Sequence, residues 1–344
     1  MPEWLINLLI IIAKIAVVHG VLLTCVAYTV YLERKVSAFM QDRIGPNRVG
    51  PFGLLQPIVD VVKLLMKEDV VPVNANKFVH SLAPVISILV ALSTIAVVPF
   101  GDTITIAGRT IQLQIADVNV GVLYFLALSS LGVYGVTLSG WSSNNKYSLL
   151  GGLRSSAQMI SYELAMGLAV LAVVLINGSL ELDTIVKNQA GWHWNIILQP
   201  VGFIIFITAA LAETNRHPFD FAEAEQELVA GYHTEYSSMK FALFFLAEYA
   251  NVIVMSAVIT TLYCGGWQFP FVHSMGLSPT MISILQVLAF CAKTFFWVFF
   301  FVWIRWTIPR FRYDQLMNLG WKVFIPLGVI NLIVTGAILL FLKR

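Results

Sequence analysis

The chain has 344 residues, of which 58% are Ala, Val, Ile, Leu, Met, Phe, Trp, Tyr or Cys and only 12% are charged, with a mean hydropathy of +0.80. A soluble enzyme carries about a quarter charged residues; so large a deficit leaves too little polar surface to cover a water-facing globule, and the chain reads as a polytopic membrane protein. Lys and Arg number 21 against 19 Asp and Glu, a net charge of +2. This gives no support to nucleic-acid binding and ties any electrostatic function to where the charges sit.

A membrane-spanning helix needs about 20 mainly apolar residues, and eight segments qualify, at roughly 5–32, 78–99, 117–140, 157–176, 195–213, 240–263, 281–304 and 321–342. The first lacks a basic leader and a small-residue cleavage site, so it reads as a retained span rather than a signal peptide. Period-two alternation is absent, and each segment must satisfy its own backbone in lipid, so the fold class is all-α: a polytopic transmembrane helical bundle of about eight spans. Lys and Arg fall fifteen to four in favour of the loops after spans one, three, five and seven. By the positive-inside rule those loops are cytoplasmic, or in a mitochondrion matrix-facing, and both termini lie outside. No internal repeat of the kind transporters show is visible, and low-complexity tracts and Pro/Gly/Ser linkers are absent, so residues 1–344 read as one membrane domain with elaborated cytoplasmic loops.

The first of those loops, 33–77, opens with Gly45-Pro46, Gly50-Pro51 and Gly53, which force a compact path beside the membrane. Next comes LLQPIVDVVKLLMKED, where Gln56, Asp60, Lys63 and Lys67 recur at helical spacing. They share one narrow polar stripe on an otherwise apolar helix. Two readings are open at this point: an interfacial amphipathic helix with its stripe in water, or a helix sunk in protein with its stripe lining a cavity. Arg34 and Lys35 are either snorkelling anchors or part of that cavity.

The third cytoplasmic loop, 213–240, is acidic. From Glu213 to Glu248 there are seven acids, Glu213, Asp220, Glu223, Glu225, Glu227, Glu235 and Glu248, against Arg216 and Lys240 alone. Neighbouring carboxylates repel and titrate as a coupled set, which suits them to holding and passing protons. Glu163 and Glu248 fall inside apolar spans, and intramembrane acids default to function, static helix pairing being the other reading. Lys293 and Lys14 are possible counter-charges.

The six histidines offer no two mid-span positions for haem ligation, and His19 reads as a packed or hydrogen-bonded side chain. Cys25, Cys264 and Cys291 show no CxxC or Cys/His spacing, so the cysteines suggest neither a disulfide framework, an iron–sulfur cluster nor a zinc site. A redox centre would belong to a partner. No phosphate-binding or nucleotide-binding glycine motif is apparent.

Three long strings occur in one order: ERKVSAFMQDRIGPNRVGPFGLLQPIVDVVKLLMKED, AETNRHPFDFAEAEQELVAGYHTEYSSMKFALFFLAEYANV and WIRWTIPRFRYDQLMNLGWK. Across nearly its full length the sequence resembles the H subunit (subunit 1) of respiratory NADH:quinone oxidoreductase, complex I. The resemblance implies a membrane component at the junction of the hydrophilic electron-transfer arm and the membrane arm, with quinone as substrate. NADH, flavin and iron–sulfur clusters would sit on partner subunits, and this chain would bind no metal or covalent cofactor. Arg34, Asp60 and Lys63 would line a quinone tunnel, with loop 33–77 as its wall. Glu163, Glu213, Glu223, Glu225, Glu227, Glu235 and Glu248 would carry proton coupling, with Arg216 as their charge partner. The implied location is the bacterial cytoplasmic (inner) membrane, with both termini periplasmic. Two other readings stand beside it: the equivalent component of a membrane-bound hydrogenase, and an independent cation or proton transporter using Glu163 and Glu248. No residue visibly selects ubiquinone or menaquinone.

Overall fold

The computed structural model describes residues 2–106, 108–222, 225–269 and 278–342. Its helices run α1 (Glu3–Met40), α2 (Gln56–Met66), α3 (Lys77–Thr94), α4 (Gly121–Ser142), α5 (Lys146–Asn177), α6 (Leu182–Asn188), α7 (Asn195–Leu198) and α8 (Pro200–Glu213). They continue as α9 (Glu225–Leu228), α10 (Ser238–Tyr263), α11 (Pro279–Thr307), α12 (Tyr313–Asn318) and α13 (Ile325–Leu342). A short antiparallel hairpin, β1 (Thr103–Ile106) and β2 (Arg109–Gln112), joins α3 to α4 with Thr103 opposite Gln112. Among the described residues seven helices are long and apolar enough to cross a membrane, the last running from Tyr313 through α13.

The fifth expected span differs. It is broken at Gln199, whose φ of −131° and ψ of 57° are not helical, because Pro200 disfavours the helical region in the residue before it. The remaining helix, α8, has 14 residues, or about 21 Å of rise against a hydrocarbon core of about 30 Å. Asn331 donates to the Gln199 side chain at 2.8 Å, and Gln199 donates to Thr335 at 2.7 Å, so the side chain at the break finds its partners on α13 rather than facing lipid.

Two expected boundaries also move. α1 continues eight residues into the expected loop, and α5 begins at Lys146 rather than near 157. In both extensions the buried side chains are polar or small: Glu33, Ser37 and Ala38 in α1, and Ser148, Gly151, Gly152, Ser155 and Ser156 in α5. Hydropathy marks them as loop, yet they pack against protein. The α5 start is capped, the Asn145 side chain accepting from the Tyr147 amide at 2.9 Å.

α10 is the hub. Two-thirds of its most apolar window (67%) is buried, against 11% for α1 and 17% for the last span, so the outer helices present their apolar side chains outward, as a lipid-facing rim does. α10 packs against α3, α11 and α1, and α5 packs against α4, α8 and α13.

The third loop folds back into this bundle. Gln158 on α5 donates to the carbonyls of Ala212 and Phe219, each at 2.8 Å, and Phe219 stacks on Phe311 at 5.6 Å. Further along, Gly231 sits directly on Gly151 of α5: a Cβ at Gly151 would lie 2.8 Å from the Gly231 Cα. Because that neighbour is backbone, it cannot turn aside. Gly151→Val should therefore lift the chain at Gly231 and Tyr232 and cost about 1–3 kcal/mol. The expected outcome is a lower thermal midpoint together with faster proteolysis within 213–240; an unchanged cleavage pattern would show that the close approach is dispensable.

Candidate functional site

The charged residues of the first loop and first helix divide between a surface and an interior. On the surface Arg34 pairs with Asp60 at 2.5 Å, and Gln56 donates to the other Asp60 oxygen at 2.9 Å. Helix α2 thus turns Gln56 and Asp60 toward α1. Lys63 is exposed and is not drawn into the pair. Lys67 lies one residue past the helix in extended conformation, so the expected stripe has three helical members rather than four.

One residue before Arg34, the side chain of Glu33 points inward. It is buried, and it meets three donors: Arg216 at 2.6 Å, Arg305 at 2.5 Å and the Tyr249 hydroxyl at 2.9 Å. Arg216 reaches further to Glu248, 2.7 Å away, and its guanidinium lies over the Tyr249 ring at 3.9 Å. The network holds two carboxylates and two guanidiniums, so its formal charges cancel. Burial works against the charge of Arg216, yet Glu248, Tyr249 and Glu33 outweigh it and hold its pKa above the ordinary guanidinium value. Each ion taken from water costs several kcal/mol, and removing one partner from such a set costs about 3–5 kcal/mol, because an unpaired charge remains.

Beyond Glu248 lies an internal cavity of about 50 Å³, walled by Glu213, Glu248, Asn251, Ser87, Ser129 and Tyr232 among others. That volume holds a few water molecules. Glu213 is buried there, and its Oε2 has no hydrogen-bond partner among the described residues. Glu163 on α5 is its charged neighbour and accepts a hydrogen bond from Ser130 on α4. Four elements far apart in sequence, α1, α5, α8 and α10, therefore supply the acids Glu33, Glu163, Glu213 and Glu248, and the third loop supplies Arg216 between Glu33 and Glu248.

Not every expected acid joins that line. Glu227 is exposed and pairs with Arg154 at 2.5 Å. Glu235 accepts from Asn145 at 2.6 Å at the edge of a separate, open cleft. Glu223 and the side chain of Glu225 lie outside the described residues. Asp220, counted among the acids, pairs with Arg310 at 3.1 Å. The counter-charges differ too: Lys293 donates to the carbonyls of Cys264, Gly266 and Gln268 and lies over Trp194, while Lys14 donates to the Gln114 carbonyl. The partner of Glu248 is Arg216, delivered by a loop. His19 is held by carbonyls, as expected, 2.8 Å from Ile15 and 3.2 Å from Leu92.

Glu33, Tyr249 and Arg305 do not stand out in the sequence. Glu33 nonetheless carries a usable signal: it is an acid at the end of an apolar span, beside two bases that the positive-inside rule explains while leaving the acid unexplained.

Fold and site together define a multi-pass helical membrane protein with an ionisable interior closed over by one of its own loops. The family model described as NADH dehydrogenase matches residues 13–336. The sequence is 52% identical over 328 residues to the first NADH-quinone oxidoreductase H subunit of Cytophaga hutchinsonii, covering 95% of this chain and 96% of the relative. It is 54% identical over 329 residues to the second such H subunit of Geobacter sulfurreducens, covering 96% of each. To NADH-quinone oxidoreductase subunit 8 of Rhodothermus marinus it is 54% identical over 327 residues, covering 92% and 93%. The chain belongs to the H-subunit family of NADH-quinone oxidoreductase, the membrane-embedded family of complex I.

The loop that supplies Arg216 also carries His233, whose ring packs on Tyr232 at 4.9 Å and Phe241 at 5.3 Å. Burial pushes its pKa down to about 4 from 6.5. The unfolded chain binds this proton first, so the stability His233 contributes is complete above pH 6.5 and is lost as pH falls toward 4, by roughly 2–3 kcal/mol. His233→Phe should accordingly show a smaller drop in thermal midpoint than the parent protein between pH 6.5 and 4.5. Identical drops would mean that the imidazole is not held neutral.

Proposed function

We propose that this chain is the membrane component in which a proton-pumping NADH:quinone oxidoreductase binds its quinone and through which quinone reduction is coupled to proton translocation. The observation that carries the reading is the adjacency of Glu33 and Arg34 on α1. Arg34 pairs outward with Asp60, and Glu33 pairs inward with Arg216, which holds Glu248. One helix thus connects a surface pair beside α2 to an interior file of acids.

The chemistry follows from that connection. Reducing a quinone to a quinol takes up electrons, supplied by a partner's iron–sulfur cluster, and protons, taken from the surroundings. With Asp60, Arg34 and Lys63 beside the headgroup, the change in charge alters how firmly Arg34 holds Asp60. It is felt one residue away by Glu33. Glu33 shares Arg216 with Glu248, so a weaker grip at one carboxylate is a stronger grip at the other. Glu213 and Glu163 continue the file, where water in the cavity can carry a proton between Glu248 and Glu213. The chain holds no redox centre in this reading and acts by shifting proton affinity. Glu227 and Glu235 would act at the loop surface rather than within the file.

The partners of this reading are the other subunits of the complex: the hydrophilic arm with its terminal cluster, and the pumping subunits of the membrane arm. The exposed apolar face of α2, with Ile58, Val61, Val62 and Leu65, suits contact with such partners. The bacterial relatives support a cytoplasmic-membrane location, and the Lys and Arg bias supports periplasmic termini.

Two substitutions test the reading in the assembled complex. Lys63→Ala should lower quinone-linked turnover about tenfold or more while NADH oxidation by an artificial acceptor stays intact; parent-level quinone-linked turnover in the assembled variant would count against a tunnel role, whereas equal loss of both activities would indicate failed assembly instead. Glu213→Gln keeps shape but cannot ionise, and it should slow coupled turnover about 100-fold or more, as expected for losing one proton-transfer group. Unchanged rate and unchanged protons pumped per electron would remove Glu213 from the path.

A further inference from the structure

An acid stands beside Lys63, and the two do not pair. On a helix an acid and a base three residues apart, with the acid nearer the N-terminus, are neighbours that attract one another. Asp60 and Lys63 stand in that order on one face of α2. The Asp60 carboxylate is nonetheless turned the other way. One oxygen accepts from Arg34 on α1 at 2.5 Å and the other from the side-chain amide of Gln56 at 2.9 Å. Lys63 is exposed, and among the described residues it has neither a hydrogen bond nor an ion pair.

Gln56 accounts for the direction of that turn. It precedes Asp60 by about 6 Å along the helix axis, whereas Lys63 follows by about 4.5 Å. Helical side chains lean toward the N-terminus, so Asp60 leans onto position 56, where an amide donor meets it. Arg34 reaches the second oxygen from outside the helix. The residue type at 56 matters: a Glu would set a like charge four residues from Asp60, which repels, and an apolar side chain would offer no donor. In either case the nearest remaining donor on α2 is Lys63. Lys35, the other base at the end of α1, is already engaged, its ammonium donating to the Ile44 carbonyl at 3.3 Å. The start of α2 is held as well, the Tyr31 hydroxyl donating to the Phe52 carbonyl at 2.7 Å and the Leu55 amide to the Val49 carbonyl at 3.3 Å. Gln56 therefore meets Asp60 from an anchored backbone.

We propose that Gln56 is a positioning residue for quinone binding: by holding Asp60 against Arg34, it keeps the Lys63 ammonium unpaired and able to donate a hydrogen bond to a quinone carbonyl. The proposal rests on the reading of Lys63 as a quinone contact and adds what keeps that lysine free. A quinone carbonyl is a neutral acceptor, and a hydrogen bond between two ionised groups is the stronger one. An ammonium already paired with a carboxylate is therefore a poor partner for the headgroup. Gln56 acts through Asp60 and Lys63 and need not touch the quinone itself.

The test uses the assembled complex in membrane vesicles, with the full set of subunits verified on native gels and a short-chain quinone as the varied substrate. Gln56→Met keeps length and helix propensity without the donor, and Gln56→Glu keeps shape and polarity without it. Both should raise the KM for quinone about three- to tenfold, the worth of one hydrogen bond, with kcat nearly unchanged, the signature of lost binding rather than lost chemistry. In a Lys63→Ala background, Gln56→Met should raise KM no further, because the group it would tie up is gone; a merely structural role would add its own penalty there. Parent-level KM in the assembled Gln56 variants overturns the proposal, as does a full additional rise in the Lys63→Ala background. Failure of both single variants to assemble also overturns it, since Gln56 would then hold the fold rather than the lysine. Lys63→Ala alone separates the layers: parent-level quinone kinetics there reject the contact itself, whereas impairment there beside parent-level kinetics in the Gln56 variants rejects only the role of Gln56.

Discussion

The structure depends on Arg216 being held between Glu33 and Glu248. A guanidinium buried at the edge of an apolar bundle is stable only because carboxylates from two different helices reach it, and Tyr249 covers its face. Planar, permanently charged and able to bind through several N–H groups, Arg suits that position in a way that Lys does not. The same guanidinium belongs to the third loop, so the ion network is also what draws that loop into the bundle. The Gln158 hydrogen bonds and the Gly151 contact then have a backbone to hold.

Because the network is charge-balanced and largely buried, it is sensitive to small changes. In a low-dielectric setting a shift in one pair is felt more strongly than it would be in water. Glu33 shares its oxygens between Arg216 and Arg305, and Arg216 divides its own nitrogens between Glu33 and Glu248. Strengthening one contact weakens another. Such an arrangement conveys a change of charge over several residues without any large displacement, provided that each member stays desolvated.

Polarity is graded along the line. Arg34 and Asp60 lie near the surface, Glu33 and Arg216 are buried, and Glu213 faces an internal cavity large enough for water. Arg34 and Glu33 project to opposite environments from consecutive positions of one helix, which needs no special backbone, only a helix that continues past the membrane boundary. The eight-residue extension of α1 beyond its expected end provides this. The break at Gln199 shortens α8, which ends at Glu213.

Much of this protein was legible in its sequence. The shortage of charge and the long apolar segments determined a helical membrane bundle, because backbone polar groups in lipid allow little else. Glu163 and Glu248 stood out for the same reason, as acids whose burial demands company, and the spacing of Gln56, Asp60 and Lys63 marked one face of α2. Partners were not legible. That Glu248 meets Arg216 rather than Lys293, that Glu227 lies at the surface with Arg154, and that Glu33 sits at the centre were decided by tertiary packing. Local sequence specifies which groups are costly to bury and how they repeat along a helix. Which opposite charge arrives to neutralise them depends on how distant helices cross, and only the folded chain determines that.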